Sequence, residues 1–502
     1  MKDLRKDAIR GGAAKLGSQV ISMVLRLGSV MIIARILSPN DFGLVAMVMA
    51  PMGVLNIFRD LGLSTAAIQR DTLTEDQKST LFWLNMAVGA CLTCIVGLCA
   101  PLLASFYRDP RLLELTLVMS SGFLLYAAST QHSALLQREM RFVRLATIDT
   151  VSLFLGIVVA VAMAAAGAGY WAIAAMTLAP AAIYGVLAWV STGWVPGLPK
   201  RNVGVSSMVK TGGIVTANGL IVYIAYNLDK VLLGRFFGAD ALGVYSRAYQ
   251  LINIPSDALN AAVSNVAMST FSRIKQDTER LRAYFLRSYS ILVSITTPIT
   301  FVCAFFAEEI IFVMLGPKWS AAAAIFRYLS PTVVVLGMIN PTWPLMVALG
   351  LFKRSFKLGL VIGPVSIIGY GVGMFWGPEG AAIGFSAALV VWAIPHIAWT
   401  VSGTAVTLRD VLVQAYPALL SAVIGTLAAA AVHYWVLSPY APLLRLLGGA
   451  GTLLAVYAFF LLFVMGHWSD YRDILNSLTG RGRIGAAPAG DGSGAASTPV
   501  AG

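Results

Sequence analysis

The sequence predicts an all-α polytopic membrane protein with about 14 transmembrane helices: two six-helix lobes in a pseudo-twofold parallel repeat, plus two C-terminal helices. Three observations support this fold class: the composition, a succession of long apolar stretches, and a repeat between the halves. The 502 residues are 58% hydrophobic and only 12% charged, whereas about a quarter of the residues of a soluble domain are charged. A bilayer is the environment that this composition indicates.

Charged residues divide the chain into segments long enough to cross a membrane, for which about 20 mostly apolar residues are needed. The first segment follows a basic N-terminal region. Because its apolar run of about 25 residues is longer than that of a signal peptide, we interpret it as a retained helix. The predicted spans are 13–37, 41–68, 79–104, 112–136, 146–168, 170–192, 208–234, 241–268, 287–307, 323–349, 356–376, 380–402, 412–437 and 443–466. The PTWP motif at Pro341 to Pro344 is expected to distort the tenth.

These spans divide the chain into units. The units are an N-lobe over 1–192 (helices 1–6), a cytoplasmic linker over 193–207, a C-lobe over 208–402 (helices 7–12), helices 13 and 14 over 403–466, and a cytoplasmic tail over 467–502 that is predicted to be disordered after about residue 480.

The basic residues set the predicted orientation, since short cytoplasmic loops hold the excess of Lys and Arg. Of the 36 Lys and Arg residues, most fall in loops on the side of the N-terminus. The opposite side holds only Arg35, Arg108, Arg111, Arg235, Lys318 and Arg445, and five more lie within spans. We therefore expect a multi-pass membrane protein with both termini in the cytoplasm.

Short loops restrict the function. They leave no room for a soluble catalytic domain, so we expect a protein that is not an enzyme. The formal charge of +13 does not indicate nucleic-acid binding, because the basic residues punctuate helices and do not form a soluble basic face. Cys91 and Cys94 have the spacing of a metal motif but lie within an apolar span without companion ligands, so neither a metal nor a cofactor is expected.

Two pairs of segments repeat in the same order in both halves. ARILSPNDFGLVA at 34–46 matches GRFFGADALGVYS at 234–246, so that Gly43 corresponds to Gly243. GYWAIA at 169–174 and EGAAIG at 379–384 both join the fifth and sixth helices of their half. Because each half contains an even number of helices, the repeat is parallel. Duplications of this kind build transporters with a binding site between the halves.

Charged side chains within spans are the candidate working parts, since each costs on the order of 2.5–3.5 kcal/mol at the bilayer centre and is expected to face protein or water. A polar stripe follows the eighth span at helical spacing, and the first, second and seventh spans also carry polar faces. The predicted cavity lining is Arg26, Arg59, Lys230, Arg247, Gln250, Asn253 and Asn260.

Other roles remain open for several of these residues. Lys230 is near the end of its span and is also compatible with snorkelling to the interface. Arg59 beside Asp60, and Asp229 beside Lys230, are also compatible with static pairing across helices. Asp257 is compatible with a protonatable coupling site, with indirect neutralisation of Arg247, and with a hydrogen bond to a neighbouring helix.

The chain resembles the polysaccharide transport family, the Wzx-type flippase branch of the superfamily that also contains multidrug efflux pumps and the lipid II flippase. The resemblance rests on RILSPNDFGLVAM from Arg35, on LDKVLLGRFFGADALGVYSRAYQL from Leu228, and on the GYWAIA and GPEGAAIG turns. It implies two six-helix lobes with two appended helices. It also implies movement of an undecaprenyl-diphosphate-linked oligosaccharide between the leaflets of a bacterial inner membrane, for exopolysaccharide, capsule or lipopolysaccharide synthesis.

The resemblance further implies the partners and the location of the site. The partners are the lipid-linked glycan, membrane lipids and, in the same biosynthetic pathway, a polysaccharide polymerase and export machinery. Basic cavity residues of related flippases lie on the first, second and eighth helices, as Arg26, Arg59 and Arg247 do here. The alternative functions are a multidrug or other small-molecule antiporter of the same superfamily and a membrane glycosyltransferase, polymerase or ligase.

Overall fold

The computed structural model describes residues 2–59, 74–200, 206–274, 276–468 and 471–472. For residues 2–16, 206–222, 224–225, 256–266 and 268–269 it describes the backbone only, and for all the others it also describes the side chain. Every regular element in the described ranges is a helix. Ten helical segments there are long and apolar enough to cross a membrane. The predicted fold class, an all-α membrane protein, is confirmed. The predicted tail after residue 472 lies outside the described residues.

Within the described residues, six helices precede position 193. They are α1 (Lys2–Ile36), α2 (Pro39–Asn56), α3 (Glu75–Tyr107), α4 (Arg111–Arg138), α5 (Phe142–Ala165) and α6 (Tyr170–Thr192). The chain begins α2 with a capping box, in which Ser38 and Asp41 bond reciprocally to each other's backbone N–H groups. This cap fixes the tight turn that follows α1.

The seventh and eighth helices form one run, Ser206–Ile274, that is broken at Gly238. Gly238 has φ 81° and ψ −175°, a conformation that glycine adopts readily and other residues do not. The break divides the run into α7 (206–237) and α8 (239–274). The sequence repeat predicts a turn here, and the structure places it at the residue that corresponds to Ser38.

The remaining helices include a tenth span that is broken into pieces. They are α9 (Thr278–Phe305), α10 (Ala307–Met314), α11 (Ser320–Leu329), α12 (Pro331–Ile339), α13 (Thr342–Ala348), α14 (Phe352–Gly373), α15 (Gly377–Val401), α16 (Leu408–Val432) and α17 (Pro442–Phe459). The predicted tenth span, 323–349, lies almost entirely within Pro317–Ala348, which is long and apolar enough to cross a membrane, and the distortion expected at its PTWP motif is present. Helices α11, α12 and α13 meet at Pro331 and Pro341, whose rings cannot donate the backbone bond that a continuous helix needs.

The second helix is shorter than predicted. The sequence predicts a span over 41–68, whereas α2 ends at Asn56. The backbone N–H groups of Ile57, Phe58 and Arg59 bond three residues back, which tightens the chain into a turn. The side-chain amide of Asn56 donates to the carbonyl of Met52 at 3.3 Å, an interaction that competes with helix propagation. Arg59 therefore lies in a turn and not within a helix.

The two halves meet where the α1–α2 turn faces the α7–α8 turn, which we call the closed end. A Cβ atom on Gly43 would overlap the carbonyl oxygen of Ala239, and one on Gly243 would overlap that of Pro39. Residues 200 positions apart thus exchange the same contact, as residues related by a twofold axis do. Between them, Asn40 Nδ2 donates to Asp240 Oδ2 at 2.8 Å.

Other contacts extend the closed end to the tenth span. Trp319 Nε1 donates to the carbonyl of Ala34 at 2.8 Å, and Arg35 Nη2 donates to that of Val313 at 2.9 Å. The Trp319 ring meets the edge of Phe42 with centroids 5.2 Å apart. Ala34, Phe42 and Trp319 belong to the largest buried cluster of the described chain, which continues through both halves.

Replacing Gly243 by alanine is expected to destabilise the protein by about 1–3 kcal/mol, the usual cost of overpacking a well-packed contact. The added methyl group would force α8 away from Pro39. Thermal unfolding of the purified protein in detergent measures the effect. Gly451→Ala is the matched control, because a Cβ at this helical glycine meets nothing within 4 Å. Equal melting temperatures for the two variants would contradict the proposed close contact.

Helices α16 and α17 pack on the second half of the chain, against α9 and α10. Tyr457 donates to the carbonyl of Ser294 at 2.7 Å, and Arg282 makes two bonds, at 2.9 and 3.2 Å, to the carboxylate of Asp410. A Cβ on Gly449 would overlap the ring of Phe306. The two appended helices therefore form a side layer.

Candidate anion-binding site

Arg247 lies on α8 one turn beyond Gly243, where α8 crosses α2. Its Cζ atom is 4.3 Å from the centre of the Phe42 ring, and its Nη1 donates to Oε1 of Gln250 one turn further along α8. Its Nε is buried without a hydrogen-bond partner among the described residues. The Arg247 guanidinium is therefore held by a ring and an amide. No carboxylate among the described residues pairs with it to neutralise its positive charge.

Lys230 lies on α7, and its side chain points toward α8. Its Nζ donates to Oδ1 of Asn227 at 2.7 Å and lies 4.6 Å from the centre of the Tyr249 ring on α8. The Tyr249 ring stacks on that of Tyr245 with centroids 6.2 Å apart. Lys230 thus has the same kind of surroundings as Arg247. Cation–π contacts of this kind contribute about 0.5–2 kcal/mol without removing the charge.

Asp229 is 2% exposed, and its side chain contacts other groups than the side chain of its neighbour Lys230 does. Its carboxylate accepts a hydrogen bond from the Tyr245 hydroxyl at 2.9 Å and one from the backbone N–H of Lys230 at 2.8 Å. Within the described chain it forms no ion pair with the Lys230 ammonium. The pairing of Asp229 with Lys230 as static glue is therefore not seen.

Arg59 lies within the first half. Its Cζ atom is 3.3 Å from the centre of the Tyr126 ring on α4, and its Nε is buried without a described hydrogen-bond partner. The sequence predicts that Arg59 lines a cavity shared with Arg247. The structure instead places its guanidinium on a ring of its own half, and its neighbour Asp60 lies outside the described residues.

Arg26 is exposed on the part of α1 that leads away from the closed end, and the structure brings it into contact with none of the other described cations. Gln250 is exposed and bonded to Arg247, and Asn253 is half-buried one turn further along α8. The side chains of Asp257 and Asn260 lie outside the described residues. The polar stripe is thus described only over its first three members.

Lys230 on α7 and the hydrogen-bonded pair Arg247 and Gln250 on α8 all belong to the α7–α8 hairpin, which we call the cationic hairpin. The aromatic partners Phe42, Tyr126 and Tyr249 were missed by the sequence analysis. Helical periodicity identifies residues on one face, but it does not identify the ring that a cation meets on another helix.

A cationic hairpin of this composition can bind an anion. Lys and Arg present several N–H donors to phosphate oxygens, and such charge-assisted bonds are about twice as strong as neutral ones. A low-dielectric setting strengthens the attraction further. Gln250 and Asn253 add amide groups of the kind that bond sugar hydroxyls.

Known proteins of similar sequence are named for polysaccharide biosynthesis. The profile of the family described as "Polysaccharide biosynthesis protein" matches residues 32–324. The lipopolysaccharide biosynthesis protein WzxC of Escherichia coli strain K12 is 25% identical over 77% of this chain and 80% of its own length. The succinoglycan biosynthesis transport protein ExoT of Rhizobium meliloti is 24% identical over 74% of this chain and 71% of its own.

Solved structures of similar fold are transporters. The lipid II flippase MurJ in an inward closed conformation superposes with a TM-score of 0.72, at 13% identity, over 92% of this chain and 99% of its own. An inward-facing multidrug resistance MATE family transporter of the MOP superfamily gives 0.60, at 16% identity, over 77% and 97%. These likenesses establish the fold.

Proposed function

The chain belongs to the polysaccharide biosynthesis protein family, and on that basis we propose that it is a flippase for an undecaprenyl-diphosphate-linked oligosaccharide. It carries the glycan from the cytoplasmic to the periplasmic leaflet by alternating access. The names of WzxC and ExoT connect relatives to lipopolysaccharide and succinoglycan synthesis, and MurJ is a lipid II flippase. The proposed location is the bacterial inner membrane, with both termini in the cytoplasm.

One observation carries the proposal most directly: the cations of the hairpin are held without carboxylates. Lys230 and Arg247 contact rings and amides among the described residues, and the Asp229 carboxylate next to Lys230 bonds to Tyr245 without forming an ion pair with the Lys230 ammonium. Burying a cation that has no paired carboxylate within a bilayer costs free energy. Binding an anionic diphosphate would offset that cost. The polyprenyl chain stays in the lipid, while the glycan meets Gln250 and Asn253.

The arrangement of the halves supports an inward-facing state. The turns at the closed end are joined by Asn40, Asp240 and the two glycines, whereas the part of α1 toward its N-terminus is exposed. Val20 and Val24 are each 64% exposed, but Ile33 and Ala34 are fully buried. In this proposal the two lobes are 1–192 and 208–402, and α1 borders the route by which substrate enters from the inner leaflet.

A deletion in the host bacterium tests the function. We expect loss of one surface polysaccharide and accumulation of its undecaprenyl-diphosphate-linked repeat unit inside the cell. A plasmid copy of the gene restores export. Unchanged surface polysaccharide, with altered drug resistance instead, would favour an antiporter of the same fold.

Asp257 remains the proposed coupling residue, and Asp257→Asn is expected to make the flipping rate independent of pH from mildly acidic to mildly alkaline conditions. The side-chain amide of asparagine neither binds nor releases a proton in this pH range, so a proton-driven step through this residue would lose its pH dependence. The measurement is the initial rate in proteoliposomes at several pH values. A variant with the wild-type pH profile would remove the coupling role.

A further inference from the structure

A second basic pocket lies on the membrane-facing side of the first half, away from the cationic hairpin. It encloses about 720 Å³ between the start of α5 and the end of α6. Arg141, Arg144 and Ser191 line one end, and Val151, Ile148 and Leu187 line the other. Val143 and Thr147 complete the lining between them, so the charges lie at one end and the other end is apolar, a pattern that an amphiphile matches.

The pocket follows one face of each helix. Positions 144, 148 and 151 recur at intervals of four and three along α5, and positions 187 and 191 are one turn apart on α6. A rise of 1.5 Å per residue gives a length of about 15 Å from Arg141 to Val151. Further along, α5 and α6 are in close contact, because a Cβ on Gly156 would overlap the ring of Pro180. This contact closes the groove at its apolar end.

The surroundings show that this groove opens to lipid. Phe154 and Val158 on α5 are 50% and 48% exposed, and Val190 on α6 is 77% exposed. Such apolar exposure on a membrane helix is expected where acyl chains cover it. An acyl chain can therefore enter along Val151 and Leu187 without leaving the bilayer.

The charged end is arranged for a phosphate group. Arg144 Nη1 donates to the carbonyl of Ser191 at 3.2 Å, which positions the guanidinium and leaves its other N–H groups exposed. Arg141 lies at the start of α5, where backbone N–H groups also favour an anion. Its Nε is 3.0 Å from Glu139 Oε2, and both side chains are about half exposed. Glu139 therefore pairs with one of the two pocket arginines, and Arg144 keeps its charge for an anion.

From this geometry we propose that the α5–α6 pocket binds an anionic glycerophospholipid, with its phosphate at Arg141 and Arg144 and one acyl chain along Val151 and Leu187. Basic pockets between membrane helices bind anionic headgroups in this way. The pocket is separate from the proposed substrate site. The proposal therefore does not depend on the flippase function.

Native mass spectrometry of the full-length protein in detergent tests the proposal, with phosphatidylglycerol and phosphatidylcholine of identical chains as probes. We expect the wild type to retain one molecule of phosphatidylglycerol at concentrations where it retains no phosphatidylcholine. The Arg141→Ala/Arg144→Ala variant should bind phosphatidylglycerol at least about tenfold more weakly. Equal retention of the two lipids by the wild type would overturn the proposal.

Two further variants separate a pocket from general surface charge. Lys353→Ala/Arg409→Ala removes the same charge from exposed residues outside the pocket and should bind as the wild type does. Val151→Trp fills the apolar end, keeps both arginines, and should weaken binding as the double alanine variant does. Equal loss in the control variant, or no loss with Val151→Trp, would overturn the proposal. So would displacement of phosphatidylglycerol by an equal concentration of undecaprenyl phosphate, which would assign the pocket to the substrate lipid.

Discussion

Arg247→Ala is expected to lower the rate of lipid-linked glycan flipping about 10-fold to 100-fold while leaving the protein in the membrane at its normal level. A hydrogen bond to a charged group contributes about 1.5–3 kcal/mol, which corresponds to that range of rates. Arg247 is also the residue at which the second half reaches across to Phe42 of the first. Its loss would remove the proposed substrate anchor at the junction of the two halves.

Two variants distinguish charge from geometry. Arg247→Lys keeps the charge but loses the planar contact with Phe42, so we expect a partial loss of rate. Arg409→Ala removes an exposed arginine at the start of α16 and should flip glycan at the wild-type rate. Export in cells and flipping in proteoliposomes are the measurements. A normal rate for Arg247→Ala would contradict the anion site.

Cross-linking the closed end is expected to abolish flipping. Asn40 and Asp240 are joined by a hydrogen bond of 2.8 Å across the two halves, so cysteines at these positions lie within reach of a short bifunctional thiol reagent. Alternating access requires the α1–α2 and α7–α8 turns to separate when the cavity opens outward. A covalent bridge prevents this separation, and a reductant that cleaves the bridge should restore transport.

The experiment needs a background without Cys91, Cys94, Cys99 and Cys303, all of which are free thiols. A bridge within one half is the matched control. Ser18 and Thr150 have hydroxyl oxygens 2.8 Å apart and join α1 to α5, so cysteines there should cross-link without stopping transport. Full activity of the Asn40→Cys/Asp240→Cys bridge would contradict movement at the closed end.

Much of the fold could be predicted from the sequence because a bilayer imposes length and apolarity on every span. The repeat also predicted a turn near Gly238, and the structure shows why Gly43 and Gly243 correspond: each lies against the other's turn. The end of α2 was not predictable from hydropathy, since Ile57 and Phe58 continue the apolar pattern beyond Asn56. Local hydrogen bonds, and not polarity, end this helix.

The candidate site was less predictable than the fold. The stripe on α8 correctly placed Arg247 beside Gln250, because residues three positions apart share a helix face. The grouping of Arg59 with Arg247 depended on the packing of α2 against α4 and α8, which periodicity does not determine. Tyr126 holds Arg59 from a helix distant in sequence.

The most direct test of the account is flipping by the purified protein in proteoliposomes. A fluorescent undecaprenyl-diphosphate-linked oligosaccharide is placed in one leaflet, and its arrival in the other is followed with a sugar-cleaving enzyme that cannot cross the membrane. The account predicts transfer with the wild type, much slower transfer with Arg247→Ala, and none in protein-free liposomes. Transfer no faster with the wild-type protein than without it would contradict the central claim.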